Sequence, residues 1–485
     1  MKKAISLLLA GVLSVGILAG CGAKKTQDSI LDPNKPVSLT VWHYYNGAQQ
    51  AAFDALVSEF NATVGAERGI YVEGYTQGSV ADLEKAVTAA AAGEVGAQAL
   101  PDIFSSYADT AYAVQKDGKL ADLTDYFTQE ELDQYVPSYL TDGDFHGDGA
   151  LYLFPVAKST EVTMVNTTDF APFSKATGVE LEDLTTFEGI TEAAKKYYEW
   201  TDAQTPDIPD DGKAFYGRDS MSNYFIIGML QQGTEIFSVK DGQVTIQAEK
   251  EQLRKLWDNY YVPYVNGWFA SLGKFRSDDV KTGDILAYTG SSSSATYFPD
   301  QVLLDDDSYA IDYAVLPAPQ MADGQYYNVQ QGAGMAVTKS DKQHEYAACE
   351  FLKWFTAPEN SLRFVCESAY LPVRKDANTV EALDQVIADQ DLTVAPKAYD
   401  TLKSILTDFD AGSFYTTRCF DNGYAARKVL DYDLSDKAAA DKQAIDDQVA
   451  AGASRAEATA PYLTDENFES WYASFCQKLA EKAGV

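Results

Sequence analysis

The spacing of apolar residues between positions 37 and 107 keeps switching, and that alternation restricts this chain more than any other feature. Val37, Leu39 and Val41 alternate with Ser38 and Thr40, a strand signature. Phe53, Leu56, Val57 and Phe60 follow at helical spacing within 46–61. Residues 70–75 read as the next strand. Ser79, with Asp82 three positions on, opens an Ala-rich helix that ends at Gly93, and 101–107 is a third short strand. Strand, helix, strand, helix, strand is the βαβ order of an open α/β sheet.

A chain of 485 residues exceeds one such core and implies two domains of about 150–250 residues each. A hydrophobic content of 46% excludes wholesale disorder. The net charge of −34 sets up a long-range field that repels nucleic acid and anionic lipid. After residue 22 no apolar run is long enough to span a bilayer. The N-terminus is different: Lys2 and Lys3 precede an apolar stretch over 4–19 that closes on Leu18-Ala19-Gly20-Cys21. Its shortness and small closing residues read as a secretory signal over 1–20. The four closing residues also resemble the bacterial lipobox, which implies lipidation of Cys21 and a polar tether over 21–36. The expected location is then the extracellular face of the cytoplasmic membrane, lipid-anchored. A plain signal peptide with an incidental Cys21 is the alternative.

Of five cysteines, Cys349, Cys366, Cys419 and Cys476 remain beyond the lipobox, none in a C-x-x-C pair. They can form two disulfides in three ways, or stay as buried free thiols, which is the preferred reading. His43, His146 and His344 are scattered, which gives a histidine metal site little support. Asp142-Gly-Asp-Phe-His-Gly-Asp-Gly149 places acids at alternate positions, as a calcium loop does, but the closing glutamate is replaced by Leu153; a Gly/Asp-rich turn accounts for it. No metal and no cofactor is expected.

Further helices are expected over 188–200, 251–261, 342–355, 358–370, 393–406, 421–430, 437–450 and 466–483, and a strand over 309–315. Residues 283–290 run as a strand into Ser291–Ser294, placing hydroxyls and backbone N–H groups at a strand end, where open α/β sheets bind ligands. A flexible serine loop would look the same.

Four stretches together carry a family resemblance: Leu39-Thr-Val-Trp-His43; Leu153-Phe-Pro-Val-Ala-Lys-Ser-Thr-Glu-Val162; Thr282-Gly-Asp-Ile-Leu-Ala-Tyr-Thr-Gly-Ser291; and Gln331-Gly-Ala-Gly334 with Tyr370-Leu-Pro-Val373. In this order the chain resembles the family-1 (maltose-binding-like) extracellular solute-binding proteins of bacterial ABC importers. The resemblance implies an α/β, two-lobed periplasmic-binding-protein type II fold with hinge crossings and a helical C-terminal part. It places the crossings near 155–159, 287–291 and 330–334, with lobe 1 over 37–156 and 288–332 and lobe 2 over 157–287 and 333–485. It implies capture of a carbohydrate or glycerol-phosphate-type solute by lobe closure, delivery to the permease transmembrane subunits, no covalent chemistry and a monomer. The alternatives are a neutral oligosaccharide only, a surface sensor or adhesin, or a glycan-active enzyme, which would need two carboxylates facing across a cleft.

Within the family the 154–162 segment looks most like the glycerol-3-phosphate-binding branch. Carried over by position, Ser159, Ser292 with its neighbour Ser291, Gly332, Tyr370 and Arg418 would surround a phosphate; hydroxyls, an amide and a guanidinium suit that task. The match fails at the polyol end, where Val80 and Ala108 replace an expected aromatic and acid. Trp42, His43, Tyr44 and Tyr45 at the first strand's end form an aromatic cluster that is a candidate for packing on a sugar face, and Tyr107 at the third's is a further ligand-binding candidate. Tyr224, Trp268 and Tyr415 are weaker ones. Lys158 and Glu161, beside the first crossing, suit either an ion pair or a ligand contact, and Arg374 reads as surface.

Overall fold

The strand Val37–His43 lies at the heart of a five-stranded sheet, paired in parallel with Ile70–Thr76 on one side and Ile103–Ser106 on the other. The computed structural model describes residues 30–240, 242–304, 307–407 and 409–485; the signal segment 1–20, Cys21 and the tether up to 29 lie outside the described residues. The first two helices expected from spacing form close to their expected bounds. Gly47–Ala62 buries Phe53, Leu56, Val57 and Phe60. Val80–Ala92 is capped by the Ser79 side chain, which accepts from Asp82 N at 3.1 Å, and ends on Gly93 at φ +66°.

Gly334–Val337 joins this first sheet antiparallel to Ile103–Ser106, and Phe154–Pro155 closes its edge. A second, four-stranded sheet runs Tyr313–Pro317, Glu161–Asn166, Ala287–Ser291, Tyr216–Arg218. This membership corrects the expected boundaries. Residues 287–317 stay with the second sheet, whereas Gly334–Val337 returns the chain to the first. The helices Lys342–Phe355 and Pro358–Ser368 then pack on the first sheet, where Phe355 meets Phe53, Phe351 meets Phe60 and Phe364 meets Phe355. Pro396–Thr407 touches both sides, with Leu402 and Leu406 in the first core and Lys397 bonded to Phe298 O and Asp300 of the second. Gly423–Ala450 and Asp465–Ala483 instead join the second core, beside Phe187–Asp202, Met221–Gln231 and Lys250–Val265. Three crossings therefore lie at 156–160, at 318–333, and over 390–422 by way of the Pro396–Thr407 helix, which touches both sides. The one expected at 287–291 is an ordinary central strand of the second sheet.

Two further differences have simple causes. The helices expected at 421–430 and 437–450 are one, Gly423–Ala450, since nothing between Asp431 and Asp436 breaks a helix. The strand expected at 309–315 splits into Ser308–Ala310 and Tyr313–Pro317, which pair with different partners. Among the described residues, Cys349, Cys366, Cys419 and Cys476 are free. No helix among them is long and apolar enough to cross a membrane.

His43 belongs to this core. Its Nδ1 accepts from Tyr45 N at 3.2 Å, its ring packs on Phe53, and Nε2 has no partner among the described residues. Burial pushes the imidazole down to about 4 from 6.5. A base depressed by folding contributes stability above its unfolded pKa, and that contribution is lost as pH falls from 6.5 toward 4. Urea titration of wild type should show about 2 kcal/mol of such loss between pH 7 and 4.5 that His43→Phe lacks. Equal pH slopes in the two proteins would show that His43 does not carry it.

Candidate ligand cleft between the two sheets

Backbone pairing pins the crossings to one another. Ser159 and Gln331 exchange N–H···O bonds of 2.9 Å in both directions, and Lys158 N donates to Leu371 O at 3.0 Å. Asn328–Val329 pairs in parallel with Phe414–Tyr415, and Gln330 N donates to Tyr415 O at 2.7 Å. Lys158, almost wholly buried, reaches Asp142 Oδ2 at 2.6 Å and Gly332 O at 3.1 Å. Gly332 sits at φ +94°, and a Cβ there would lie 2.9 Å from Ala157 O and 3.0 Å from Lys158 Cα. Only glycine fits between two crossings this close.

Over this floor lies a cavity of about 440 Å³. From the first sheet it receives Glu84, one turn into the Val80–Ala92 helix, and Tyr107 with Asp109 at the start of the Ala108–Lys116 helix. From the second it receives Ser220, Ser222 and Asn223 at the start of the Met221–Gln231 helix. Tyr424, Arg427, Lys428 and Asp431 come from consecutive turns of Gly423–Ala450, so one helix face supplies all four.

The wall is anchored from behind. Arg427 Nη2 donates to Asn223 Oδ1 at 3.3 Å, and Asn223 Nδ2 to Glu161 Oε1 at 3.0 Å. Arg218 Nη2 donates to Glu161 Oε2 at 2.9 Å. Ser222 N donates to Asp431 Oδ1 at 3.0 Å. Burial raises the Asp109 carboxyl above its usual range, with Arg427 pulling the other way. Burial, then the Asp109 charge, raises Glu84 as well. Four carboxylates (Glu84, Asp109, Asp142, Asp431) thus face two cations, Arg427 and Lys428.

Of the residues singled out from sequence, Tyr107 and Gly332 line this cavity. Beside it, the Tyr44 and Tyr370 hydroxyls meet at 3.4 Å, and Ser293 of the serine turn adjoins Tyr370, so a strand end of one sheet and a turn of the other come together. Ser291 belongs to that turn, its Oγ 3.0 Å from Ser293 Oγ. The rest do not converge. Trp42 packs in the core with Leu83, Val87 and Phe104. Ser159 is buried in its backbone pairing, and Ser292 is buried with its N–H donating to Thr160 O at 2.7 Å. Glu161 is enclosed by Arg218 and Asn223, so it is an ion-pair partner. Arg418 and Tyr415 line a neighbouring cavity. Tyr224 is core, donating to Leu256 O at 2.8 Å, Trp268 packs beside it, and Arg374 pairs with Asp376 at 2.7 Å.

Asn223, Arg427, Lys428, Asp109, Asp142 and Glu84 escaped the sequence reading. The 424, 427, 428, 431 spacing was visible, but it also describes an ordinary solvated helix face. The Met221–Gln231 helix is buried on every side and so shows no periodicity to find.

With this geometry in place, a family model described as bacterial extracellular solute-binding protein matches residues 55–394. No curated protein sequence matches the chain. Among solved structures, the cyclic α-maltosyl-1,6-maltose binding protein from Arthrobacter globiformis superposes with a TM-score of 0.63 at 19% identity, over 92% of this chain and 100% of that one. UgpB from Mycobacterium tuberculosis in complex with glycerophosphocholine gives 0.62 at 18% identity, over 92% and 98%. A solute-binding protein from Agrobacterium radiobacter K84 in complex with ribitol gives 0.60 at 18%, over 93% and 100%. At such identities the likeness is one of fold: two α/β lobes with a cleft between them.

Proposed function

Because this chain belongs to the bacterial extracellular solute-binding proteins, we propose that it captures a neutral, polyhydroxylated solute, a sugar or polyol, and delivers it to the permease of an ABC importer. The observation that carries the reading is the wall of the interlobe cavity, where carboxylates outnumber cations and tyrosines flank them. Carboxylates accept hydrogen bonds from pairs of sugar hydroxyls, and tyrosine rings pack against C–H faces. A phosphate would meet the Glu84 and Asp109 carboxyl groups at this wall, beside Asp142, which Lys158 already pairs, and Asp431, which Lys428 pairs. The cyclic α-maltosyl-1,6-maltose binding protein and the ribitol complex among the structural relatives support the same class, while the glycerophosphocholine complex keeps a phosphodiester as the rival.

Closure is the mechanism that this arrangement supports. In this reading the lobes are 37–155 with 334–389, and 161–317 with 423–485, with the Pro396–Thr407 helix touching both, and they turn about the three crossings. A ligand touching Tyr107 and Asp109 on one lobe and Asn223 and Arg427 on the other gains both sets of contacts only when they approach, so binding shifts the equilibrium toward the closed form. No covalent chemistry enters. Lipidation at Cys21 would hold the protein beside its permease and raise the local concentration.

Thermal-shift screening of neutral sugars and polyols against glycerol-3-phosphate and glycerophosphodiesters should single out the neutral group, and X-ray scattering should show a smaller radius of gyration at saturation. Stabilisation by phosphorylated compounds alone would overturn the ligand class, and an unchanged radius with ligand bound would overturn closure. Cys21→Ser should release the protein into the medium; retention on the cell would refute the anchor.

A further inference from the structure

We infer that the cleft has a second chamber behind Gln330 that holds a further unit of the ligand, so that the solute is an oligosaccharide of two or more units; this rests on the sugar reading above. The chamber encloses about 340 Å³ between the lobes, with Ser138 and Thr141 on one wall and Phe237 and Val239 on the other. It shares Asp142, Gln330, Thr416 and Thr417 with the main cavity, so the two are neighbours across a single partition. Each volume alone is near the lower end for a small-molecule site, about 300 Å³. Together they exceed what one sugar ring needs.

Gln330 carries the argument. Its backbone is fixed, N–H to Tyr415 O at 2.7 Å, within the Asn328–Val329 and Phe414–Tyr415 pairing. Its side chain is only 4% exposed, yet neither Oε1 nor Nε2 has a hydrogen-bond partner among the described residues. The Thr417 side chain, on the same partition, adjoins the Tyr415 hydroxyl. Buried amides are otherwise nearly always satisfied, because an unmade bond costs the full desolvation of the group. An amide held between two cavities can accept from a hydroxyl with Oε1 and donate to another with Nε2, which suits a ligand threading past it. Phe237, Val239 and Tyr415 offer apolar surface for the C–H face of the far ring.

Calorimetric titration of the full mature protein with glucose, maltose and maltotriose, and with the corresponding xylose and mannose series, tests this. In the series that binds, the trisaccharide should bind at least tenfold more tightly than its monosaccharide. Ser138→Trp and Val239→Trp, which fill the chamber from opposite walls, should each bring that ratio to within about twofold of one, with folding checked by circular dichroism. Equal affinity at all lengths, or a ratio that both fillings leave intact, overturns the second chamber while the sugar reading stands. Binding of no neutral sugar overturns both.

Discussion

Replacing Glu161 with leucine lowers the free energy of unfolding by about 3–5 kcal/mol, because it strands a buried guanidinium. Arg218 is 5% exposed, and its Nη1 already lacks a partner among the described residues. It depends on Glu161 Oε2 at 2.9 Å, the Ser220 carbonyl at 3.1 Å, and the face of Tyr224, 4.9 Å from the guanidinium carbon to the ring centre. Removing the carboxylate leaves the charge desolvated. Urea unfolding would show this as a lower midpoint at unchanged slope. The double variant Glu161→Leu with Arg218→Met should regain most of the loss, since a buried pair replaced by apolar groups is often neutral. A single-variant loss below about 1 kcal/mol would mean that water reaches Arg218 and the pair is not a closed unit. The effect also bears on binding: Glu161 positions Asn223, and Asn223 positions Arg427 in the cleft.

Asp109→Asn and Arg427→Ala should each weaken binding of a neutral sugar, by about 10- to 100-fold, since hydrogen bonds to charged groups contribute about 1.5–3 kcal/mol. The pair discriminates between ligand classes by sign. For a phosphorylated solute, Arg427→Ala would still weaken binding, but Asp109→Asn would strengthen it by removing a like charge from a buried position, where Asp109 is already driven toward protonation. Titration of both variants with the best neutral and the best phosphorylated hit reads that sign directly. Tighter sugar binding by Asp109→Asn would overturn the carboxylate-to-hydroxyl reading.

Three strands of the first sheet and the helices between them were legible because each carries its own periodicity, and because Ser79 and Gly93 mark helix ends by local hydrogen bonding; Phe154–Pro155 and Gly334–Val337 were not, being too short to show a period. The 156–160 crossing was legible through its resemblance to a known family. The cleft was legible only in part. Tyr107 and Gly332 were found at a strand end and a glycine pair. Trp42 and His43 were not distinguishable from them, since an aromatic at the end of a strand faces the core or the cleft according to the pleat and to what packs above it. Here Leu83 and Val87 cover Trp42, and Phe53 covers His43.

The sequence by itself determined the order of elements, their caps and the apolar face each must bury, because these depend on neighbours within a few residues. Only the tertiary structure decided which lobe each late helix serves. Lys342–Phe355 and Gly423–Ala450 each bury one face, but one meets Phe60 in the first core and the other joins Phe225 and Trp257 in the second. It likewise brought Asp109, Asp142, Asn223 and Arg427, hundreds of residues apart in part, to one cavity. Periodicity reports that a face is buried, and three paired crossings report against what.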